Sequence, residues 1–423
     1  MDRLRYFLCL FVSLFTLSCE ELDDKEVPSV EPSLETQKAC GLTKSGVARL
    51  LSELPILKEQ VAEVHDAVSG SVDNGYDEEY TMHNLFTHPG APVGTKCFPT
   101  PCRSDSAKGV YNKPLKDMIS NHIKSLSEGT RADSDEAPDL LDGMSPDDFL
   151  KGLSEGDMQI YWPNSDLWDG NSLPTITFEP EGDKESNDGY LIEVSKEGRR
   201  SVRNVMVDEE YSKKYPVWVV NSNRDSGYET LEMLRKEYPS LDGGSLVIPP
   251  KPACKRVIAE RVKVDQPVKT LILKQIRAKK QFDSWFAGGS EYWFKIGSVE
   301  NFTASTEAEL KLYNPSVTDF LIVVPRRDVG KTLDINTVLV SDWTEQLTNC
   351  AFLIIEDDGG KKTSWKCEAV VKWNSKSYGF VLDIPYSRND DIVWRGQLSR
   401  RYLDAYETQI CQFGEMEVVF EFI

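Results

Sequence analysis

Beyond Pro249-Pro250 the chain is a run of short segments in which apolar and polar residues alternate, set apart by turn residues. No other feature restricts the fold as strongly. The segments are residues 270–277, 291–296, 320–324, a hairpin across 350–373, 378–384, 392–397 and 415–423. Period-two alternation places every second side chain on one face of a strand. In the last segment Met416, Val418, Phe420 and Phe422 share a face, and Glu417 and Glu421 take the other. Six of the nine tryptophans fall in this half and supply the bulk that a β core needs. Seven or more short strands in succession predict an antiparallel β-sandwich over residues 251–423.

The hairpin across 350–373 permits a register. Asp358-Gly359 is a strong two-residue turn signal. With that turn, Phe352 faces Trp365, Ile354 faces Thr363, Glu356 faces Lys361 and Cys350 faces Cys367. An aromatic pair and an ion pair then fall in register together. The two cysteines stand as a disulfide candidate or as reduced core residues.

Upstream, periodicity changes from two to 3.6. Leu57, Val61, Val64 and Val68 form one helical face, with Glu59 and Glu63 on the wet side, and a shorter helix over residues 44–52 precedes Pro55. Another amphipathic helix is expected over 114–125. Residues 128–148 carry eight acids against Arg131, a charge of −7, which reads as an exposed linker. Residues 149–250 mix strands (157–162, 175–178, 190–194 and 217–220) with a helix near 229–238. The expected fold class is therefore multi-domain α+β. An N-terminal helical region (41–127), an acidic linker (128–148) and a middle α+β region (149–250) precede the C-terminal antiparallel β-sandwich (251–423).

The first residues set the address. Asp2, Arg3 and Arg5 precede an apolar run from Tyr6 to Leu17, too short to span a membrane, and Ser18-Cys19 closes it. A cysteine after a small residue at such a cut resembles the lipobox of bacterial lipoproteins. That likeness implies a signal peptide over 1–18 and lipidation of Cys19. Residues 20–36 hold seven acids against Lys25, and with Pro28 and Pro32 they read as a solvated tether, so the tether is placed at 19–40. An acidic run directly after the lipidated cysteine resembles the surface-export signal of Bacteroidetes lipoproteins. This implies a lipid-anchored, surface-exposed protein of the outer membrane. Without residues 1–18 the net charge of −20 becomes −21, because Asp2, Arg3 and Arg5 leave together. So acidic a surface excludes nucleic acid as a partner.

Motifs for chemistry are few. Gly330-Lys331-Thr332 imitates the end of a phosphate loop, but Pro325 occupies the position where that loop needs glycine. No H-E-x-x-H, G-x-S-x-G or G-x-G-x-x-G occurs. His83 and His88 precede Cys97 and Cys102, with Asp77, Glu78 and Glu79 nearby, yet the spacing fits no standard zinc site. Cys97 and Cys102 bound a proline-stiffened loop and form a second disulfide candidate. Neither a cofactor nor a metal is predicted. The stretch Tyr161, Trp162, Asn164, Asp166, Trp168 and Asp169 places flat rings beside short hydrogen-bonding side chains, as a sugar site requires. The same rings serve equally as core residues at either end of a strand-turn. A basic run from Lys251 to Lys280 is expected on solvent faces of the first sandwich strands, or docked on the acidic lobe.

The segments Asn74–Tyr80, Tyr161-Trp162-Pro163 with Trp168-Asp169-Gly170, and Ser284–Ser290 resemble multi-domain surface lipoproteins of Bacteroidetes. The likeness implies a location and no particular chemistry. The expected function is a binding or structural module for a glycan or protein ligand. The alternative is a secreted carboxylate-dependent hydrolase such as a glycoside hydrolase, a class that leaves no local motif. With no catalytic motif present, the sequence leans away from an enzyme.

Overall fold

Thr43 accepts the Gly46 N–H on its hydroxyl, which caps helix α1 (Lys44–Glu53). The computed structural model describes residues 42–95, 111–129, 140–141, 143–182, 184–195, 197–223, 229–237 and 268–423. The signal peptide, Cys19, the tether, Cys97, Cys102, most of the acidic linker and residues 251–267 of the basic run lie outside them.

The fold is mixed α+β, mostly strands in several antiparallel sheets with few helices. After α1 come α2 (Lys58–Asp73), β1 (Glu79–Thr81), α3 (Met82–Thr87), α4 (Leu115–Gly129), α5 (Pro146–Glu155), β2 (Met158–Tyr161), β3 (Thr175–Phe178), β4 (Ser186–Val194), β5 (Arg200–Asp208), α6 (Glu209–Ser212), β6 (Val217–Ser222) and α7 (Leu231–Glu237). The six strands among these form one sheet, ordered β1-β2-β6-β3-β4-β5, in which only β3 and β6 run parallel. Strands β2 and β6 are buried on both faces. Ile160, Trp162, Trp218 and Val220 point into a core shared with Val47, Leu50, Val61 and Val64 of α1 and α2. Tyr161, Val217 and Val219 point the other way, onto Trp285 and Phe286. Two-sided burial explains why Val217–Val220 reads as an unbroken apolar run. Residues of the expected helical region and of the expected α+β region thus share one core, and β1 pairs directly with β2.

The remaining elements are β7 (Lys269–Ala278), β8 (Ser290–Ser298), α8 (Glu307–Leu310), β9 (Ser316–Val324), β10 (Leu333–Trp343), β11 (Leu347–Glu356), β12 (Lys362–Trp373), β13 (Lys376–Ser387), β14 (Asp391–Ser399), α9 (Arg400–Ala405), β15 (Ile410–Phe413) and β16 (Met416–Phe422). One sheet runs β10-β7-β16-β15, the other β13-β12-β11-β8-β9 with β14 also on β11. Their inner faces meet in one core, where Phe352 touches Phe294, Trp394, Phe413 and Phe420. Alternation in β16 follows the sequence pattern: Met416, Val418, Phe420 and Phe422 are buried, while Glu417 and Glu421 pair with Arg277, Lys279 and Lys274. Three cations of the basic run are thus paired within their own sheet, and Lys269 and Lys280 lie over the rings of Phe422 and Phe282.

Three expectations are corrected. The 350–373 hairpin does not close in the expected register. Cys350 opposes Leu398 of β14, Cys367 opposes Leu382 of β13, and both are buried free thiols. Phe352 lies between Gly396 and Ile296, and Trp365 opposes Ile384. Strand β12 meets β11 only around Leu347 and Asn349, because β14 takes the rest of that edge. The turn residues Gly359 and Gly360 do adopt positive φ, but the connection runs from 357 to 361 and no longer dictates pairing. Leu57, expected on the buried helical stripe, caps α2 from outside and is 60% exposed. Glu63, expected on the wet face, is 0% exposed: it accepts the Leu115 N–H at the start of α4 (2.7 Å) and the Tyr80 hydroxyl (3.2 Å).

Candidate functional site

The face of the first sheet that carries Tyr161, Val217 and Val219 is covered by the loop before β8, and a polar seam forms along that contact. Three grips hold the loop. Asn221 donates through Nδ2 to the carbonyls of Phe286 and Ala287 (both 3.0 Å). Trp285 donates its indole N–H to the Glu185 carbonyl (2.9 Å). Asp77, just before β1, accepts the Gly289 N–H (2.6 Å). Gly288 is required beside it: its φ is +122°, and a Cβ there would lie 2.6 Å from Asp77 Oδ2.

Asp77, Glu78 and Glu79 are all buried. Burying a carboxylate is costly unless donors surround it, and Glu78 gathers four. Its oxygens accept the N–H groups of Asn164 (3.1 Å) and Ser165 (2.9 Å), the Ser165 hydroxyl (2.9 Å) and Arg327 Nη1 (3.0 Å). Asn164 sits at φ +58°, a left-handed conformation that turns both N–H groups toward the carboxylate. Burial pushes the Glu78 pKa up to about 7, Asp77 adds to the rise, and Arg327 and Ser165 oppose it. Asp77 is raised as well, first by burial. Arg326 and Arg327 come from the short turn after β9. Arg326 donates to the Asp283 carbonyl (2.9 Å) and reaches Glu209 (3.4 Å), and Arg327 also pairs with Asp166 (3.5 Å).

Between these groups lies a cleft of about 150 Å³ lined by Glu78, Asn164, Glu209, Arg326 and Arg327, with Tyr161 and Trp285 as its apolar wall. A shallower groove of about 600 Å³ lies between the start of β11 and α9, where Arg400 is tied to Asp404. It is larger, but the buried polar groups concentrate in the seam.

The predicted ligand-binding stretch divides across the sheet. Tyr161 and Asn164 line the cleft, and Asp166 joins Arg327. Trp162 points to the opposite face and packs in the core against Trp218, Trp168 and His65. Asp169 lies elsewhere, accepting the Asn171 and Ser172 N–H groups of its own turn. Strand alternation makes this division, since neighbours in a strand face opposite sides. His83 Nδ1 lies 3.2 Å from the Ser154 carbonyl, and His122 pairs with Glu53. Sequence reasoning missed Glu209, Arg326, Arg327 and Trp285 as site residues. The segments quoted for the lipoprotein likeness converge here: Asp77 and Glu78, Tyr161, and Trp285 with Gly289.

No protein-family model, curated protein or solved structure matches the chain.

Proposed function

We propose that the chain is a lipid-anchored protein of the outer-membrane surface, carried there by Cys19 and the acidic tether, that binds a glycan terminus in the seam cleft. Its layout would be a helix-covered α+β lobe followed by a β-sandwich. The observation that carries the binding proposal is the mixed lining of the cleft. Glu209 can accept a hydroxyl proton and the Arg326 and Arg327 guanidinium groups can donate to hydroxyl oxygens, over an apolar floor formed by Tyr161 and Trp285. Its volume of about 150 Å³ is room for about five waters, which limits the occupant to about one ring with the remainder of the chain outside.

One observation favours the hydrolase alternative: Glu78, with a pKa near 7, shares the cleft with Glu209. A general acid must deliver its proton to a leaving oxygen. Both Glu78 oxygens already accept protein donors, so binding is the better-supported function.

A glycan array probed with the soluble chain from residue 20 should give a defined set of hits. Arg327→Ala should weaken them about tenfold or more, with partial recovery in Arg327→Lys because lysine keeps the charge without the fork. An array without hits, or hits indifferent to both variants, would rule the cleft out. For the anchor, Cys19→Ala should move the protein from the membrane fraction into the soluble one or leave the precursor uncut. Unchanged, salt-resistant retention of that variant would count against it. Among the described residues no helix is long and apolar enough to cross a membrane.

A further inference from the structure

A second set of acids lies at the end of the β8–β11 pairing, outside the seam cleft. Glu356 is the last residue of β11 and opposes Tyr292, Glu291 is the second residue of β8, and Asp283 belongs to the loop that precedes β8. One carboxylate oxygen from each lies within 4.8 Å of the other two. Glu356 is 0% exposed; its oxygens meet the Asp283 carboxyl and the Ser290 hydroxyl, and no N–H or cationic side chain reaches them among the described residues. A buried carboxylate costs several kcal/mol if left so. Two further acids and one hydroxyl converge on it, so the cluster must either share protons or hold a cation.

We infer that Asp283, Glu291 and Glu356 form a calcium site. Calcium takes oxygen ligands at about 2.3–2.6 Å, so two ligands on opposite sides of one ion stand about 4.8 Å apart, the outer limit of this cluster. Magnesium holds its ligands at about 2.0–2.1 Å in a strict octahedron and keeps several waters, which suits a buried cluster of side chains less well. The donor set contains neither sulfur nor imidazole, which disfavours zinc and copper. The Ser290 hydroxyl, on the residue between the loop and Glu291, is the nearest neutral oxygen in sequence. The ion would tie the 281–289 loop to the ends of β8 and β11. That loop carries Trp285 and Gly289 into the seam, so occupancy would brace the contact between the two halves.

The test uses the soluble chain from residue 20, stripped with chelator. Added Ca²⁺ should raise its Tm by about 3 °C or more at saturation, with Mg²⁺ at the same concentration giving less than half of that. Tb³⁺ should bind with one-to-one stoichiometry and show emission sensitised through Tyr292 and Trp293, displaced by Ca²⁺. Glu356→Gln should raise the Tm of the stripped protein, since it relieves the crowding of neighbouring acids, and should abolish both the Ca²⁺ shift and the Tb³⁺ signal. Asp283→Asn, in a loop and therefore safe for folding, should weaken Ca²⁺ at least tenfold. A wild-type Tm indifferent to Ca²⁺ would overturn the site, as would a Ca²⁺ shift that survives Glu356→Gln. An equal response to Mg²⁺ would overturn the choice of calcium.

Discussion

Trp285→Ala should lower the Tm by about 10 °C and turn a single thermal transition into two. Trp285 is fully buried, lies tilted against Phe286 at 4.0 Å between ring centroids and packs on Tyr161, Val207, Val217 and Val219. Truncating a buried tryptophan costs about 3–5 kcal/mol, and leaving the Glu185 carbonyl without its indole donor adds about 1. What makes this residue decisive is its place in the chain. It is delivered by the loop before β8 yet buried on the first sheet, so it couples the two halves. The rest of that cluster is small, and few other apolar contacts are available to compensate. Trp365→Ala, on a partly buried ring in β12 that opposes Ile384, is the control and should cost less than half as much. A Trp285→Ala protein with the wild-type Tm would mean that the seam contributes nothing to stability.

The same contact bears on where the chain can be cut. A fragment beginning at Lys251 keeps both sheets of the C-terminal half but uncovers Trp285 and Phe286 and loses Leu231, which is buried in the core of those sheets. It should therefore associate in solution unless Trp285 and Phe286 are replaced by polar residues. A monodisperse wild-type fragment would show that the loop can cover itself.

Local pattern carried much of the fold. Thr175–Phe178 is a strand at both ends as read, and β16 alternates residue by residue as expected, because both signals depend only on neighbours along the chain. Strand β5 has no clear local signal, since Arg200–Asp208 mixes exposed apolar and charged residues and pairs with β4 along its whole length through backbone bonds. The hairpin register failed for a different reason. Asp358-Gly359 does turn the chain, but β14, some forty residues further on, takes the edge of β11 that the turn would have offered to β12. Competition between distant strands has no local signature. The seam is the extreme case: Asp77-Glu78, Asn164-Ser165, Trp285–Gly289 and Arg326-Arg327 are four segments spread over some 250 residues, and none is a motif alone. Of these, only Asn164 stood in the aromatic stretch that drew attention in the sequence.

Stability should peak near pH 5 and fall as the pH rises to 8, the reverse of what paired surface carboxylates produce. Glu63 and Glu78 are both pushed up to about 7, each first by burial. In the unfolded chain each titrates in the ordinary range near 4.3. Between those two values the folded state holds protons that the unfolded state has released, so unfolding is favoured as pH increases. The contribution is fully present below the unfolded pKa and is lost as the pH passes about 7. One pKa unit is worth 1.36 kcal/mol, which puts each group on the order of 3–4 kcal/mol. Glu53, lowered by its hydrogen bond to His122, works in the opposite direction but is partly exposed and contributes less. Glu63→Gln separates the causes. Glutamine imitates the protonated acid: its carbonyl can accept the Leu115 N–H while its amide faces the Tyr80 oxygen. The variant should match wild type near pH 4 and exceed it by about 3 kcal/mol at pH 8, read as the difference between two thermal or denaturant titrations. A wild-type Tm that climbs from pH 5 to pH 8 would mean that Glu63 and Glu78 are ionised in the fold at neutral pH, and that the donors around them outweigh their burial.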